Sequence, residues 1–434
     1  MLHPAPLVET AAALRSGQLD LFAYINDICD RIDVEEPQIQ ALLPEAERRE
    51  RLLADAQALQ ARYPDPTGRP PLYGIPVGIK DMFFVDGFPT RVGSQLPPEL
   101  FTGAEGDYLK ALRRAGVLIL GKTVTTEFAY FEPGPTRNPH NLAYSPGGSS
   151  SGSAAAVAAG YCPLAIGTQV IGSTLRPASF CGIVGFKSSY ARIPINGWIL
   201  CSSALEHIGI FTQDVAGAAL AASLLCESWR PSALSASSAL PVLCVPEGPF
   251  LAQASPEGLE AFEKQLVLLE KAGYTVRRAQ ALTDIEAINR RHSRIVFAQM
   301  AQVHAPWFEQ YASLYRPRTL AAVREGQEIS AQALADMLPG RLTLRQELEE
   351  QMAQGGIDLW VCPSAPGPAP EGLANTGSPL MNLPWTHAGM PAVSLPAGRA
   401  INGLPLGFQC VGRFMHDEQL LAWAEPMANI VSGT

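Results

Sequence analysis

The chain has 434 residues, enough for one large α/β domain or two smaller ones, and with 47% hydrophobic and 17% charged residues it falls in the globular class and outside the disordered one. A net charge of −9 with no run of clustered Lys or Arg excludes the basic surface of a nucleic-acid binder. Eight cysteines without a Cys-x-x-Cys pair and seven histidines without a His-x-x-x-His spacing give no signature of a metal or a redox dithiol.

The chain opens on Met-Leu-His-Pro-Ala-Pro, without the basic start and apolar run of a secretory signal. Cys162, Cys181 and Cys244 sit in apolar stretches and read as small core hydrophobes. Such usage suits a reducing cytosol, so a cytoplasmic location is expected. Residues 1–65 read as N-terminal helices, with apolar residues at helical spacing until Pro64 to Pro71 breaks the pattern. From there the periodicity predicts a short strand at Pro76 to Ile79, a helix at Tyr108 to Arg114 ended by Gly116, and a buried strand at Val117 to Leu120. The stretch Ala154 to Ile166 is rich in Ala and Gly, interrupted by Pro163 and too short to span a membrane, and it reads as a tightly packed core helix.

Ser232 to Ser238 reads as a Ser/Ala-rich linker inside a strand-helix-strand unit over 226–282. Its strands are expected at Val242 to Val245 and Tyr274 to Val276. The helix between them, Pro256 to Ala272, carries Phe262, Leu266 and Leu269 on one face. Residues 283–355 read as helical and suited to capping a pocket, and the chain returns to strands over 356–434 at Trp360 to Pro363, Ala392 to Leu395 and Leu406 to Val411. This alternation predicts a sheet covered by helices.

Three short contexts carry the chemistry. Lys80 ends Gly74-Ile-Pro-Val-Gly-Ile-Lys80, Ser149 lies in Gly147-Gly-Ser-Ser-Ser-Gly-Ser153, and Ser173 ends Gly167-Thr-Gln-Val-Ile-Gly-Ser173. A serine hydroxyl is a weak nucleophile until an adjacent base takes its proton, and a lysine made neutral by burial is such a base. Singly, each residue also fits a commoner role: Ser173 in a turn, Ser149 as a helix cap or part of a phosphate cradle, Lys80 at a strand end.

In succession, these segments and Ala178-Ser-Phe-Cys-Gly-Ile-Val-Gly-Phe-Lys187 resemble the amidase signature family. Asn138-Pro139, Gly389-Met-Pro-Ala-Val-Ser-Leu-Pro396 and Gly403-Leu-Pro-Leu-Gly-Phe-Gln409 extend the likeness, which covers residues 70 to 215 and 357 to 425. The resemblance is to a divergent branch, similar to the glutaminase component of glutamyl-tRNA amidotransferase and to stand-alone bacterial amidases. It implies one α/β domain, an α/β/α sandwich around a mixed twisted sheet, with 66–225 as the signature core and 283–355 shaping substrate choice.

The same resemblance implies Ser173 as nucleophile, Ser149 as a bridging serine on a cis peptide bond, Lys80 as base, and the backbone N–H groups of Val170, Ile171, Gly172 and Ser173 as oxyanion hole. Ser150, Gln169 and Arg176 become supporting residues. From their place beside the matched motifs, Tyr130, Phe131 and Trp385 are candidates for pocket walls, equally suited to a core, and Arg137, Arg176 or Arg316 is a candidate to hold a substrate carboxylate, with surface ion pairing the commoner fate of an arginine. The histidines read as structural, with His207 and His387 candidates for the neighbourhood of the pocket. Neither cofactor nor metal is implied.

The chain departs from the family pattern at Gln169 (usually Asp), Ile171 (usually Gly) and Leu175 (usually Arg, here one place later at Arg176), and in Lys187-Ser188-Ser189, where Lys-Pro-Thr is usual. Loss of the acidic and basic residues together predicts a compensated, active branch. The leading function is hydrolysis of a small-molecule amide to an acid plus ammonia or an amine. The alternatives are the catalytic subunit of a glutamine-dependent amidotransferase and a catalytically silent binding protein. A homodimer and an accessory subunit stay open as partners, while nucleic acid and membrane are not expected.

One decoy is set aside on context. Gly116-Val-Leu-Ile-Leu-Gly-Lys-Thr123 matches the P-loop letters, yet Val-Leu-Ile-Leu reads as a strand rather than a flexible turn, so Lys122 is expected at a strand end.

Overall fold

The computed structural model describes residues 2–231 and 240–433. The linker expected at Ser232 to Ser238 lies outside them. The strands are β1 Pro76–Lys80, β2 Leu118–Thr123, β3 Leu164–Gln169, β4 Val184–Lys187, β5 His207–Thr212, β6 Leu243–Glu247, β7 Val276–Gln280, β8 Leu359–Pro363, β9 Ala392–Arg399 and β10 Pro405–Val411. Among the described residues they form one sheet in the order β2-β1-β3-β5-β4-β9-β10-β8-β6-β7. Parallel pairing at both ends (β2-β1-β3 and β8-β6-β7) flanks an antiparallel centre, so the sheet is mixed.

Burial follows the pleat. In β8, Leu359 and Val361 join one apolar cluster, while Trp360 and Cys362 join a second on the other face. Successive side chains of a strand point to opposite faces, so a strand that feeds two cores is covered on both sides. The helices Pro256–Lys271 and Asp417–Val431 pack on one of these faces through Phe262, Leu266, Leu420 and Leu421. The α/β sandwich expected from the sequence is the fold observed. The eight cysteines are all buried and unpaired, and no helix among the described residues is long and apolar enough to cross a membrane.

Two sequence expectations are corrected. The apolar stretch Ala154 to Ile166 is not one helix. Helix Ser151–Ala158 ends at Gly160, which takes the left-handed conformation (φ 68°), and β3 begins directly after Pro163. A uniformly apolar run has no period to separate a buried helix from a buried strand. The strand expected at Tyr274 to Val276 instead begins at Val276, because the Tyr274 N–H still bonds back to Leu269 of the preceding helix.

The site sits where the parallel neighbours β1 and β3 end. Lys80 is the last residue of β1 and Gln169 the last of β3, and the register Ile79↔Ile166 brings their carboxyl ends side by side. Carboxyl ends of parallel strands are where α/β folds place ligands, because the loops leaving them diverge. Helix Ser151–Ala158 is pressed against β2 at Gly152, where a Cβ would collide with Ala41 O and Val124 N. That contact fixes where Ser149, two residues before the helix, is held.

Candidate active site

Lys80 is fully buried, and its Nζ donates to Ser149 Oγ at 2.7 Å and to Thr168 Oγ1 at 2.7 Å. Burial brings the amine down from 10.5 to about 7, because removal from water penalises its charged form. Ser149 follows a cis peptide bond, Gly148–Ser149. Ser149 and Ser173 line one small cavity of about 20 Å³, together with Val170, Ile171, Gly172 and Arg176. Ser173 stands in the turn between β3 and helix Leu175–Cys181 and keeps 7% of its surface exposed.

That turn is built to leave donors free. The N–H groups of Ile171, Gly172 and Ser173 donate to no protein group among the described residues. Gln169 holds the turn at its base: Oε1 accepts from the Thr174 and Leu175 N–H groups at 2.8 and 3.0 Å, and Nε2 donates to Thr386 Oγ1 at 2.9 Å. Thr386 in turn donates to Ile171 O at 2.7 Å. Ile171 keeps a negative φ, so a side chain at this position does not remove its amide from the turn. Gly172 has no such latitude, since a Cβ there would run into Asn382 Oδ1. Free amides gathered at one point, beside a serine, are an arrangement that stabilises a developing oxyanion.

Among the supporting residues, Ser150 Oγ bonds the Thr168 backbone (3.2 Å to O, 3.3 Å from N) and thereby steadies the strand whose side chain receives Lys80. Arg176 is buried beneath the cavity. It donates to Gly148 O and Gly377 O at 2.6 Å each and to Thr376 Oγ1 at 3.2 Å. No carboxylate pairs with it among the described residues, its Nε is unpartnered, and burial lowers it from 12.5 to about 9.

The expected pocket walls divide. Tyr130 and Phe131 line the small cavity and also an outer one of about 420 Å³ shared with Phe297, Arg318 and Glu325, so they stand between the two. The helical segment thus reaches the site through Val296 inside and Phe297 outside. Trp385 is corrected: its ring is fully buried in the second core against Phe250 and Trp360 and borders neither cavity, because it lies on the inward side of helix Leu383–Ala388.

Arg137 holds the Leu142 carbonyl and Arg316 pairs with Glu132, so of the three arginines only Arg176 reaches the small cavity. Lys122, expected at a strand end, lies buried within β2 and pairs with Asp81 at 2.9 Å. His207 bonds Leu205 O and His387 faces His292 at 3.3 Å, both outside the cavity. A larger cavity of about 990 Å³, between residues 32–48 and Pro133–Pro135, contains none of Lys80, Ser149 or Ser173.

Sequence reasoning missed Thr168 and Glu206. Thr168 lies inside a quoted motif, but its partner Lys80 is 88 residues away. Glu206, a lone acid just ahead of the apolar strand β5, was the available signal for a buried charge.

A family model described as Amidase matches residues 23–421. The A-type subunit of the glutamyl-tRNA(Gln) amidotransferase from Oleidesulfovibrio alaskensis is 30% identical over 100% of this chain and 98% of its own length. The crystal structure of an amidase superposes with a TM-score of 0.85 at 30% identity, covering 97% of this chain and 99% of that one. A chain from a vestigial protein complex bearing on the evolutionary origins of an s-triazine catabolic enzyme has the same fold, with a TM-score of 0.87 at 24% identity over 99% of both chains.

Proposed function

The chain belongs to the Amidase family, and on that premise we propose that it hydrolyses the C–N bond of a small carboxylic amide through an acyl-enzyme on Ser173. Neutral Lys80 takes the Ser149 proton as Ser149 takes that of Ser173, and Ser173 Oγ attacks the amide carbonyl. The oxyanion is received by the free N–H groups of the turn 170–173. Lys80 then returns its proton through Ser149 to the departing nitrogen as the C–N bond breaks. Water, deprotonated by the same pair, attacks the acyl group and releases the acid.

The observation that carries this reading is Lys80: a wholly buried amine, lowered to about 7, bonded to a serine that shares a cavity with Ser173. Arg176 bears on the substrate. A buried guanidinium at the cavity wall, with no counter-ion among the described residues, favours an amide that also carries an anionic group. A second reading is favoured by the whole-length likeness to this amidotransferase component: the same relay releases ammonia from glutamine for a partner. In that case glutaminase activity is low alone and rises with an accessory subunit.

Intact mass after a serine-directed fluorophosphonate, run beside Ser173→Ala, tests the common core of both readings. One adduct on the parent and none on the variant is the expected result. No adduct on the folded parent refutes hydrolysis by the chain alone and leaves a silent binding protein or a partner-completed site.

A further inference from the structure

Lys80 is one member of a buried chain of polar groups that continues past the serines. Its second acceptor, Thr168, lies against the buried Glu206 carboxyl, whose charged form the threonine hydroxyl favours. Glu206 immediately precedes β5, where His207 pairs with Gln169, so the sheet register itself brings this acid beside the end of β3. Its Oε2 accepts from the Cys201 and Ser202 N–H groups at 3.0 and 3.4 Å. Lys80, Thr168 and Glu206 are each at most 1% exposed. No step of the hydrolysis described above uses Glu206.

We propose that Glu206 is a positioning residue of the relay: acting through Thr168, it orients the Lys80 amine towards Ser149 and shares one proton with it, so that its charge sets the pH at which Lys80 accepts a proton. The exchange is balanced. Nζ gives a proton to Thr168 Oγ1 while Thr168 gives its own to Glu206, and an ammonium–carboxylate pair becomes an amine–carboxylic acid pair of the same net charge.

A buried ammonium has three protons and, among the described residues, two acceptors, Ser149 and Thr168, so burial favours the amine–carboxylic acid form. The titratable groups facing Lys80 are Glu206 and Cys201. The Cys201 thiol is pushed well up by burial and stays neutral, which leaves Glu206 as the neighbour whose charge changes. Burial raises Glu206 from 4.5 to about 7, into the range of Lys80. Two groups that interact this strongly titrate as a pair, in two apparent steps.

This inference rests on Lys80 being the base, and one assay separates the two. The second-order rate of Ser173 labelling by a fluorophosphonate is measured from pH 5 to 10 on the full chain, on Glu206→Gln, and on Glu206→Asp, with folding checked by circular dichroism. A parent rate that does not rise with pH refutes the lysine base itself.

A parent rate that rises in two steps, and a Glu206→Gln limb that moves about one pH unit or more lower and becomes a single step, is the result expected here, because removing the carboxylate withdraws its support for the ammonium. A Glu206→Gln limb left at the parent position overturns the role of Glu206 while the base reading stands. Should Glu206→Gln fail to fold, Glu206→Asp is read in its place: a smaller downward move is expected and an unmoved limb overturns the proposal. A parent limb that fits a single proton overturns it without any variant.

Discussion

Replacing Lys80 by Met removes the amine and keeps a chain of similar length, and its effect on stability has a sign that depends on pH. Above about pH 7 the folded protein holds Lys80 neutral, while the unfolded chain keeps it protonated up to 10.5. The unfolded state therefore binds one more proton across this window, and the stability of the parent rises with pH by about 1.4 kcal/mol per pH unit. Over the full interval that is about 5 kcal/mol, the cost of burying the ammonium, all of which is felt below pH 7.

Met carries no such cost but forfeits the bonds to Ser149 and Thr168, together about 2 kcal/mol. Lys80→Met should accordingly be the more stable protein at pH 7, by about 3 kcal/mol at most, and lose its advantage by about pH 9. Glu206 pushes the difference the same way. Left alone in the core, it stays protonated to higher pH than in the parent, so the variant loses stability as pH rises. Urea unfolding of both proteins at intervals from pH 7 to 10 reads the gap directly, and labelling of Ser173 should fall about 10²–10⁴-fold in the variant. A gap that does not change with pH would refute the buried neutral amine and, with it, the base assigned to the relay.

Two further outcomes follow from the turn and the cavity wall. Gly172→Ala places a methyl against Asn382, whose amide is fixed by Ser364 O and Gln409 Oε1, so the turn must move; turnover of the amide identified by ammonia release should drop about 10²–10³-fold, the loss seen for one oxyanion donor, with the fold retained by circular dichroism. Arg176→Gln should raise KM for amides bearing a carboxylate far more than for neutral amides of the same size, and an equal rise for both would assign Arg176 to holding Gly148 O alone.

The helices and buried strands of the first 120 residues were legible because period and punctuation agree there: Asp20 caps Leu21–Ile39, and Gly116 closes the turn after Asp107–Arg114. Residues 164–212 were not. The strands β3, β4 and β5 pair only through contacts distant in sequence, and they are buried on both faces with polar residues among the apolar ones, so no alternation marks them. Lys80, Ser149 and Ser173 were picked out through the family resemblance, whose motifs are Gly-rich turns and a strand end where backbone geometry constrains the sequence tightly, and the structure brings Lys80 to Ser149 and Ser149 and Ser173 to one cavity. Trp385 was misplaced because an aromatic beside a motif is as suited to a core as to a pocket, and only the helix register decides which. Thr168 and Glu206 escaped because a buried polar chain is defined by mutual contact, and single residues carry no trace of it.

The departures at Gln169 and Arg176 are consistent with one change. An aspartate at 169 would accept from Thr174 and Leu175 as Gln169 does, but it has no N–H to give Thr386, the residue that fixes Ile171 O. The carboxamide therefore ties both ends of the turn without a charge. Once no acid stands at 169, a basic residue two places after Ser173 has nothing to pair with there, and that position is Leu175, packed in the second core. The guanidinium one place later lies one helical step around, under the cavity and against the Gly148 carbonyl. A positive charge thus stands at the wall of the site, held by Gly148 O, Gly377 O and Thr376 Oγ1 and paired with no carboxylate among the described residues. In this arrangement the turn keeps its free amides, and under the proposed hydrolysis the altered residues would act on which amide is bound.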